Sequence, residues 1–130
     1  MIPRRKYGNK KLVNADGEFD SKGEYLRWIV LMEAERSGAI RNLRRQVVFE
    51  LLPTQYRDEV VHLKTKDKTV RRVAERPVTY VADFVYEKDG ETVAEDFKGF
   101  PDEKYPIKRK MMLYFHDIAV REIKKPGDPV

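Results

Sequence analysis

Val78-Thr79-Tyr80-Val81-Ala82-Asp83-Phe84-Val85-Tyr86 decides how the rest of the chain is read. Its β-branched and aromatic residues favour a strand. Lys88-Asp89-Gly90 is a turn signal, and Thr92 to Lys98 runs back as the partner strand. Asp83 interrupts the otherwise apolar first strand, and Asp96 and Lys98 stand in the second. Side chains alternate along a strand, so Asp96 and Lys98 share one face while Glu95 and Phe97 take the other.

Upstream of this hairpin, a strand from about Leu43 to Leu52 stops at Pro53. Before it, a helix opens at Asp20-Ser21-Lys22-Gly23-Glu24, where Ser21 and Glu24 have the spacing of a capping box. Tyr25, Leu26, Trp28, Ile29, Met32 and Ala34 give it a wide apolar surface, and Gly38 ends it. Asn14-Ala15-Asp16-Gly17 signals the turn of a small hairpin that leads to Phe19. Downstream, after Gly99-Phe100-Pro101, a second helix begins at Pro106. Ile107, Met111, Tyr114 and Phe115 fall at helical spacing there, with Lys108, Arg109 and Lys110 on the remaining circumference. A short strand follows over residues 118–123. Gln55 to Glu75 is the least legible stretch: Val60-Val61-His62-Leu63 reads as an edge strand and Lys66-Asp67-Lys68 as its turn. The order helix, three strands, helix, strand predicts an α/β fold with a central mixed sheet flanked by helices.

At 130 residues and 15.4 kDa the chain has room for one domain over residues 1–130. Residues 1–12 read as a flexible basic arm and residues 124–130 as a disordered tail. Cysteine is absent, which excludes disulfides, thiolate zinc sites and a cysteine nucleophile. The two histidines, His62 and His116, argue against a polyhistidine metal site. No run approaches the ~20 apolar residues of a membrane helix and no signal-peptide pattern is present, so a cytoplasmic protein without a membrane partner is expected. The net charge of +5 favours polyanionic partners. Its basic runs are Arg4-Arg5-Lys6 with Lys10-Lys11, then Lys64 through Arg72, then Lys104 with Lys108-Arg109-Lys110. Any one of them alone is equally well a solvated face.

Burying an unpaired carboxylate is costly, so Asp83 and Asp96 require compensation. One form is ionic, with Lys98 neutralising an aspartate in a purely structural site. The other is a divalent cation held by both carboxylates with Lys98 beside it. The second suits phosphodiester cleavage, because hard carboxylate oxygens bind Mg²⁺ or Mn²⁺, which keep several waters. The metal lowers the pKa of a bound water and offsets charge on the phosphate. A nearby ammonium adds positive charge where the transition state needs it.

With Lys6-Tyr7-Gly8-Asn9-Lys10-Lys11, Phe19-Asp20-Ser21-Lys22-Gly23-Glu24, Thr79-Tyr80-Val81-Ala82-Asp83-Phe84 and Glu95-Asp96-Phe97-Lys98-Gly99, the sequence resembles the PD-(D/E)XK nuclease superfamily. Within it, the likeness is to a small phage-encoded family of endonucleases related to Holliday-junction resolvases. The resemblance spans most of the chain and leaves Gln55 to Arg76 without a counterpart. It implies a restriction-endonuclease-like αβββαβ core. Asp83 takes the place of the motif aspartate, Asp96 that of the second acid and Lys98 that of its lysine. Ala82 stands where the motif proline is usually found. Resolvase-like members also use a glutamate from the first helix, and Glu24 fits that role while equally fitting the helix cap.

The resemblance implies that Glu24, Asp83 and Asp96 hold Mg²⁺, for which Mn²⁺ substitutes, and that Lys98 assists the attacking water. Arg4, Arg5, Lys6, Lys10, Lys11, Lys104, Lys108 and Arg109 are the expected DNA contacts. The expected activity is metal-dependent endonucleolytic cleavage of branched DNA by a phage Holliday-junction resolvase in the host cytoplasm. Symmetric cutting of two opposed strands calls for two active sites, hence a homodimer. The competing readings are a nuclease for nicked, flapped or linear duplex DNA, a catalytically silent nucleic-acid-binding module, and a protein-interaction domain with an incidental basic surface. Among the remaining residues, Glu95 reads as structural, Trp28 as core and His116 as a helix-end partner. Tyr105 pairs with Lys108 in the resemblance, His62 has no evident partner, and Gln46 lies within reach of the site without a neighbour that demands it.

Overall fold

A hairpin of β1 (Leu12–Asn14) and β2 (Gly17–Phe19) leads into α1 (Lys22–Arg36), and the long strand β3 (Arg41–Leu52) follows. A second hairpin, β4 (Gln55–His62) with β5 (Asp67–Glu75), precedes β6 (Val78–Lys88) and β7 (Glu91–Phe97). Helix α2 (Tyr105–His116) and the short β8 (Arg121–Ile123) complete the element order. This computed structural model describes residues 11–97 and 103–130. Lys98 and residues 1–10, with Arg4, Arg5, Lys6 and Lys10, lie outside them.

The fold is α/β. One four-stranded sheet runs in the order β3-β6-β7-β8, antiparallel except for the parallel pair β7 and β8. Its two faces carry separate cores. Leu51, Tyr80, Ala82, Val85, Ala94 and Met112 are buried on the α2 side. Leu31, Ile40, Phe84 and Tyr86 are buried on the α1 side. No helix among the described residues is long and apolar enough to cross a membrane.

The strands do not keep simple alternation. Along β3, Leu43 packs on the α1 side, whereas Val47, Phe49 and Leu51 pack on the α2 side. Along β6, Val78, Tyr80 and Ala82 face α2, and Phe84 and Tyr86 face α1. An uninterrupted strand would keep all of these odd-numbered or even-numbered sets together. Both strands therefore change faces at one rung. The register Arg45↔Phe84 and Val47↔Ala82 places Gln46 opposite Asp83 at that rung. Gln46 has φ +50°, in the left-handed region that non-glycine residues rarely enter. This local reversal lets a long apolar strand present polar groups in mid-sheet.

Several expectations require correction. The buried line of α1 is Glu24, Arg27 and Leu31, not a purely apolar one, and Leu26 and Ile29 are exposed. On α2, Met112 is fully buried while Ile107, Tyr114 and Phe115 are exposed, because the helix seats its Met111–Met112 side on the sheet. Helix α2 starts at Tyr105, and β8 is confined to Arg121–Ile123. The stretch 55–75 forms a full hairpin whose turn is Leu63 to Lys66, closed by the Leu63 N–H on the Lys66 carbonyl at 2.9 Å.

The tail 124–130 is docked rather than disordered. Arg27 Nη1 donates to the carbonyl of Pro126 at 3.0 Å and to that of Asp128, and Arg121 Nη2 donates to the carbonyl of Pro129 at 2.7 Å. Val130 packs on the α1-side core. A buried guanidinium has five N–H groups to satisfy, and the backbone of the tail supplies the acceptors that a single carboxylate cannot.

Candidate active site

Glu24 is placed by the start of α1. Ser21 caps the helix with extended backbone, and its Oγ accepts the Glu24 N–H at 3.1 Å. Glu24 Oε2 accepts the N–H of Asp20, not of Ser21, at 3.0 Å. The capping box is thus shifted by one residue at its return bond, which turns the carboxylate inward, where the residue is only 3% exposed. Gly23 makes room beside it: a Cβ there would stand 2.6 Å from the Phe97 ring, so the ring or the helix would have to shift. Phe97 therefore lies directly on the first turn of α1 and draws the end of β7 against it.

Asp83 is placed by the face change in β6. Its Oδ2 accepts the Phe97 N–H at 2.8 Å. Its Oδ1 lies 3.3 Å from Gln46 Nε2, and the same Nε2 lies 3.2 Å from Glu24 Oε1. One amide nitrogen thus joins carboxylates from the helix and the central strand. The register Phe84↔Glu95 puts Asp96 at the next position along β7 from Glu95 and beside Asp83.

The electrostatics follow from that crowding. Burial, then the adjacent Asp96, then Glu24 push the Asp83 carboxyl up to about 9, against the opposing Phe97 N–H. Glu24 is also raised, first by burial and further by Asp20 and Asp96, while the Asp20 N–H and Arg45 oppose the shift. Tyr80, buried next to Asp96, titrates far above the ordinary phenol range for the same reasons. Crowded this way, the set favours keeping a proton on Asp83, and a divalent cation could take that proton's place.

The donor chemistry fits Mg²⁺ or Mn²⁺, because all of the converging ligands are hard carboxylate oxygens. Asp83 and Asp96 are the pair that would hold it, with the buried Glu24 reaching towards them from α1. Among the described residues, no group of three or more histidine, aspartate or glutamate side chains is arranged to hold an ion as it stands. The Gln46 amide engages an oxygen of Glu24 and one of Asp83.

Of the residues expected at the site, Glu24, Asp83 and Asp96 come together from three elements, and Lys98 lies outside the described residues. Gln46, for which the sequence offered reach without a reason, sits between two of the acids. Tyr80 and Arg45 were not anticipated. Arg45 lies 3.6 Å from the Phe19 ring centre, donates to the Glu18 carbonyl at 2.6 Å and is near enough to Glu24 to oppose its shift. The alternating strand pattern conceals all of these, because only the face change at Gln46 directs them to one place.

The expected DNA contacts divide. Lys11 pairs with Glu18 at 3.2 Å, and Arg109 pairs with Glu122 at 3.2 Å close to the Tyr105 ring. Lys104 is exposed before α2, and Lys108 is half-buried on it. Glu95 points away from Asp96 into a buried bidentate pair with Arg27. Trp28 packs parallel to Phe84 with centroids 6.0 Å apart. His116 Nε2 lies 2.7 Å from the Glu50 carbonyl oxygen, and His62 has a partner in Asp67 at 2.8 Å.

Comparison with curated proteins and with solved structures gives no significant match. A family model, described as Protein of unknown function (DUF1064), matches residues 4–126. That span covers nearly the whole chain, which therefore belongs to the DUF1064 family.

Proposed function

We propose that the chain is a metal-dependent DNA endonuclease that hydrolyses phosphodiester bonds in branched DNA. The observation that carries this reading is the juxtaposition of Asp83 and Asp96 on adjacent strands, with Glu24 joined to Asp83 through the Gln46 amide. With the β1–β2 and β4–β5 hairpins set aside, α1, β3, β6, β7, α2 and β8 follow the order of a restriction-endonuclease-like αβββαβ core. A Mg²⁺ or Mn²⁺ ion on these carboxylates would polarise the scissile phosphate and supply a metal-activated water. Asp83 and Asp96 hold the charge that fixes it, and Glu24 closes the site from the helix. Lys98, two residues beyond Asp96, is the ammonium assigned to the attacking water. The preference for four-way junctions, and the two-fold dimer that symmetric cutting requires, rest on the sequence resemblance to resolvases.

A second reading, a catalytically silent nucleic-acid-binding module, is favoured by the Gln46 amide lodged between the acids. One experiment separates the two. Labelled four-way junction, linear duplex and single strand are incubated with the protein in Mg²⁺, Mn²⁺ or EDTA. The endonuclease reading expects metal-dependent cutting, strongest on the junction, which Asp96→Ala abolishes while DNA binding persists. Binding without cutting in either metal establishes the silent module.

A further inference from the structure

Residues 55–76 carry seven lysines and arginines against four acids, three of the net five positive charges of the whole chain. They form a two-stranded sheet of their own, outside the four-stranded one. A two-stranded ribbon has little core of its own, and nearly all of its side chains here are exposed. At ~3.4 Å per residue, its eight-residue strand reaches roughly 27 Å.

The register sorts its side chains onto two faces. Arg57 lies directly opposite Arg72, and Val61 opposite Lys68, which puts three cations around the half-buried Val61 and Val70. Like charges directly opposite one another destabilise a ribbon, and Glu59, 3.1 Å from Arg72, offsets only one of them. Lys64 and Lys66 in the turn, and Lys68 just beyond it in β5, are exposed and make no ion pair among the described residues. The other face holds Tyr56, with the Arg71 guanidinium 3.6 Å from its ring centre, and the exposed Val60 and Val73.

We infer that the β4–β5 ribbon is a duplex-DNA grip, which lays its Arg57–Arg72–Lys68 face along a groove and sets the turn lysines on phosphates. A two-stranded ribbon matches the ~12 Å width of the major groove, and a polyanion removes the Arg57–Arg72 repulsion that the free ribbon carries. This rests on the nuclease reading and adds to it where the substrate arm is held, away from the acids.

The test is fluorescence anisotropy of a labelled duplex and a four-way junction with the full chain in EDTA, where nothing is cut. The triple substitution K64Q/K66Q/K68Q, all at exposed positions, is compared with wild type over a salt series, and melting curves verify that it folds. Expected are at least a ~10-fold weaker affinity and a log–log salt slope shallower by about 2–3, near one per phosphate contact removed. An unchanged affinity and slope overturn the grip even if wild type cuts DNA normally. Loss of a solution dimer with unaltered DNA binding also overturns it, because the ribbon's partner is then a second copy of the chain. Ribbon-dependent binding without metal-dependent cutting upholds the grip and removes the nuclease reading instead.

Discussion

Gln46 stands across the β3–β6 ladder from Asp83, its Nε2 3.3 Å from Asp83 Oδ1. The same nitrogen is 3.2 Å from Glu24 Oε1. An amide has two N–H groups, so both contacts are made without competition. The left-handed backbone at Gln46 brings this side chain to the acids, and it also moves the flanking apolar residues to opposite cores. Site and packing share one distortion.

Gln46→Ala removes both donors. Hydrogen bonds to charged groups contribute about 1.5–3 kcal/mol, and they matter most when the acids are ionised. The variant is expected to lose about 1–3 kcal/mol in EDTA, with a greater loss at pH 9 than at pH 6. Denaturant melts at the two pH values check this. An equal loss at both would show that Gln46 acts through packing alone.

Asp83 should make the protein alkali-sensitive in EDTA. Its pKa of about 9 lies above the ordinary 3.8, so between those values the folded chain keeps a proton that the unfolded chain has released. The stability tied to this group is complete below pH ~4 and is lost as pH rises towards 9. Glu24 shifts in the same direction. In EDTA the melting temperature should fall between pH 5.5 and pH 8.5. Mg²⁺ or Mn²⁺ should restore it at pH 8.5, where the cation meets ionised carboxylates, and have little effect at pH 5.5. A melting temperature indifferent to both cations at pH 8.5 would count against an ion site.

Gly23 couples the helix to the site through Phe97. A methyl group at Gly23 meets the Phe97 ring at 2.6 Å, so Gly23→Ala forces the ring or the helix to move. Overpacking of this kind costs about 1–3 kcal/mol. The Phe97 N–H also holds Asp83 Oδ2 at 2.8 Å, so on the proposed nuclease reading cutting should fall further than the stability loss alone predicts. Melting curves and junction cleavage on the same preparation measure the two effects. Full activity in a destabilised Gly23→Ala would confine Phe97 to packing.

The hairpin around Asp83 and Asp96 was legible because β-branched and aromatic residues and a Gly turn act locally. Glu24 was legible through the cap spacing with Ser21. Gln46 was legible only as a residue within reach of the site; its role depends on one left-handed residue that no periodicity announces. The buried face of α1 was concealed for a different reason. Glu24 and Arg27 occupy core positions, so apolar spacing pointed to Leu26 and Ile29, which are exposed. The docked tail depends on backbone carbonyls, which carry no sequence signal at all.

That tail leads to the last prediction. Arg27 and Glu95 form a bidentate pair, Nε to Oε1 and Nη2 to Oε2, each at 2.8 Å, and neither side chain reaches solvent. Tyr86 donates to Glu95 Oε2, and Arg121 Nη1 lies 3.2 Å from the same oxygen. Glu95→Gln leaves the Arg27 charge buried with only carbonyls around it, and Arg27→Met leaves the carboxylate to Arg121 and Tyr86. Breaking a buried pair from one side costs about 3–5 kcal/mol. Glu95→Gln should lie near the top of that range and Arg27→Met near the bottom, because Arg121 compensates only the carboxylate. The double variant should cost clearly less than the two losses added together. Arg27→Met should also release residues 124–130, seen as faster amide exchange or proteolysis there, while Glu95→Gln leaves them attached. Denaturant melts on the three variants give the energies; strictly additive losses would mean that the two side chains act independently.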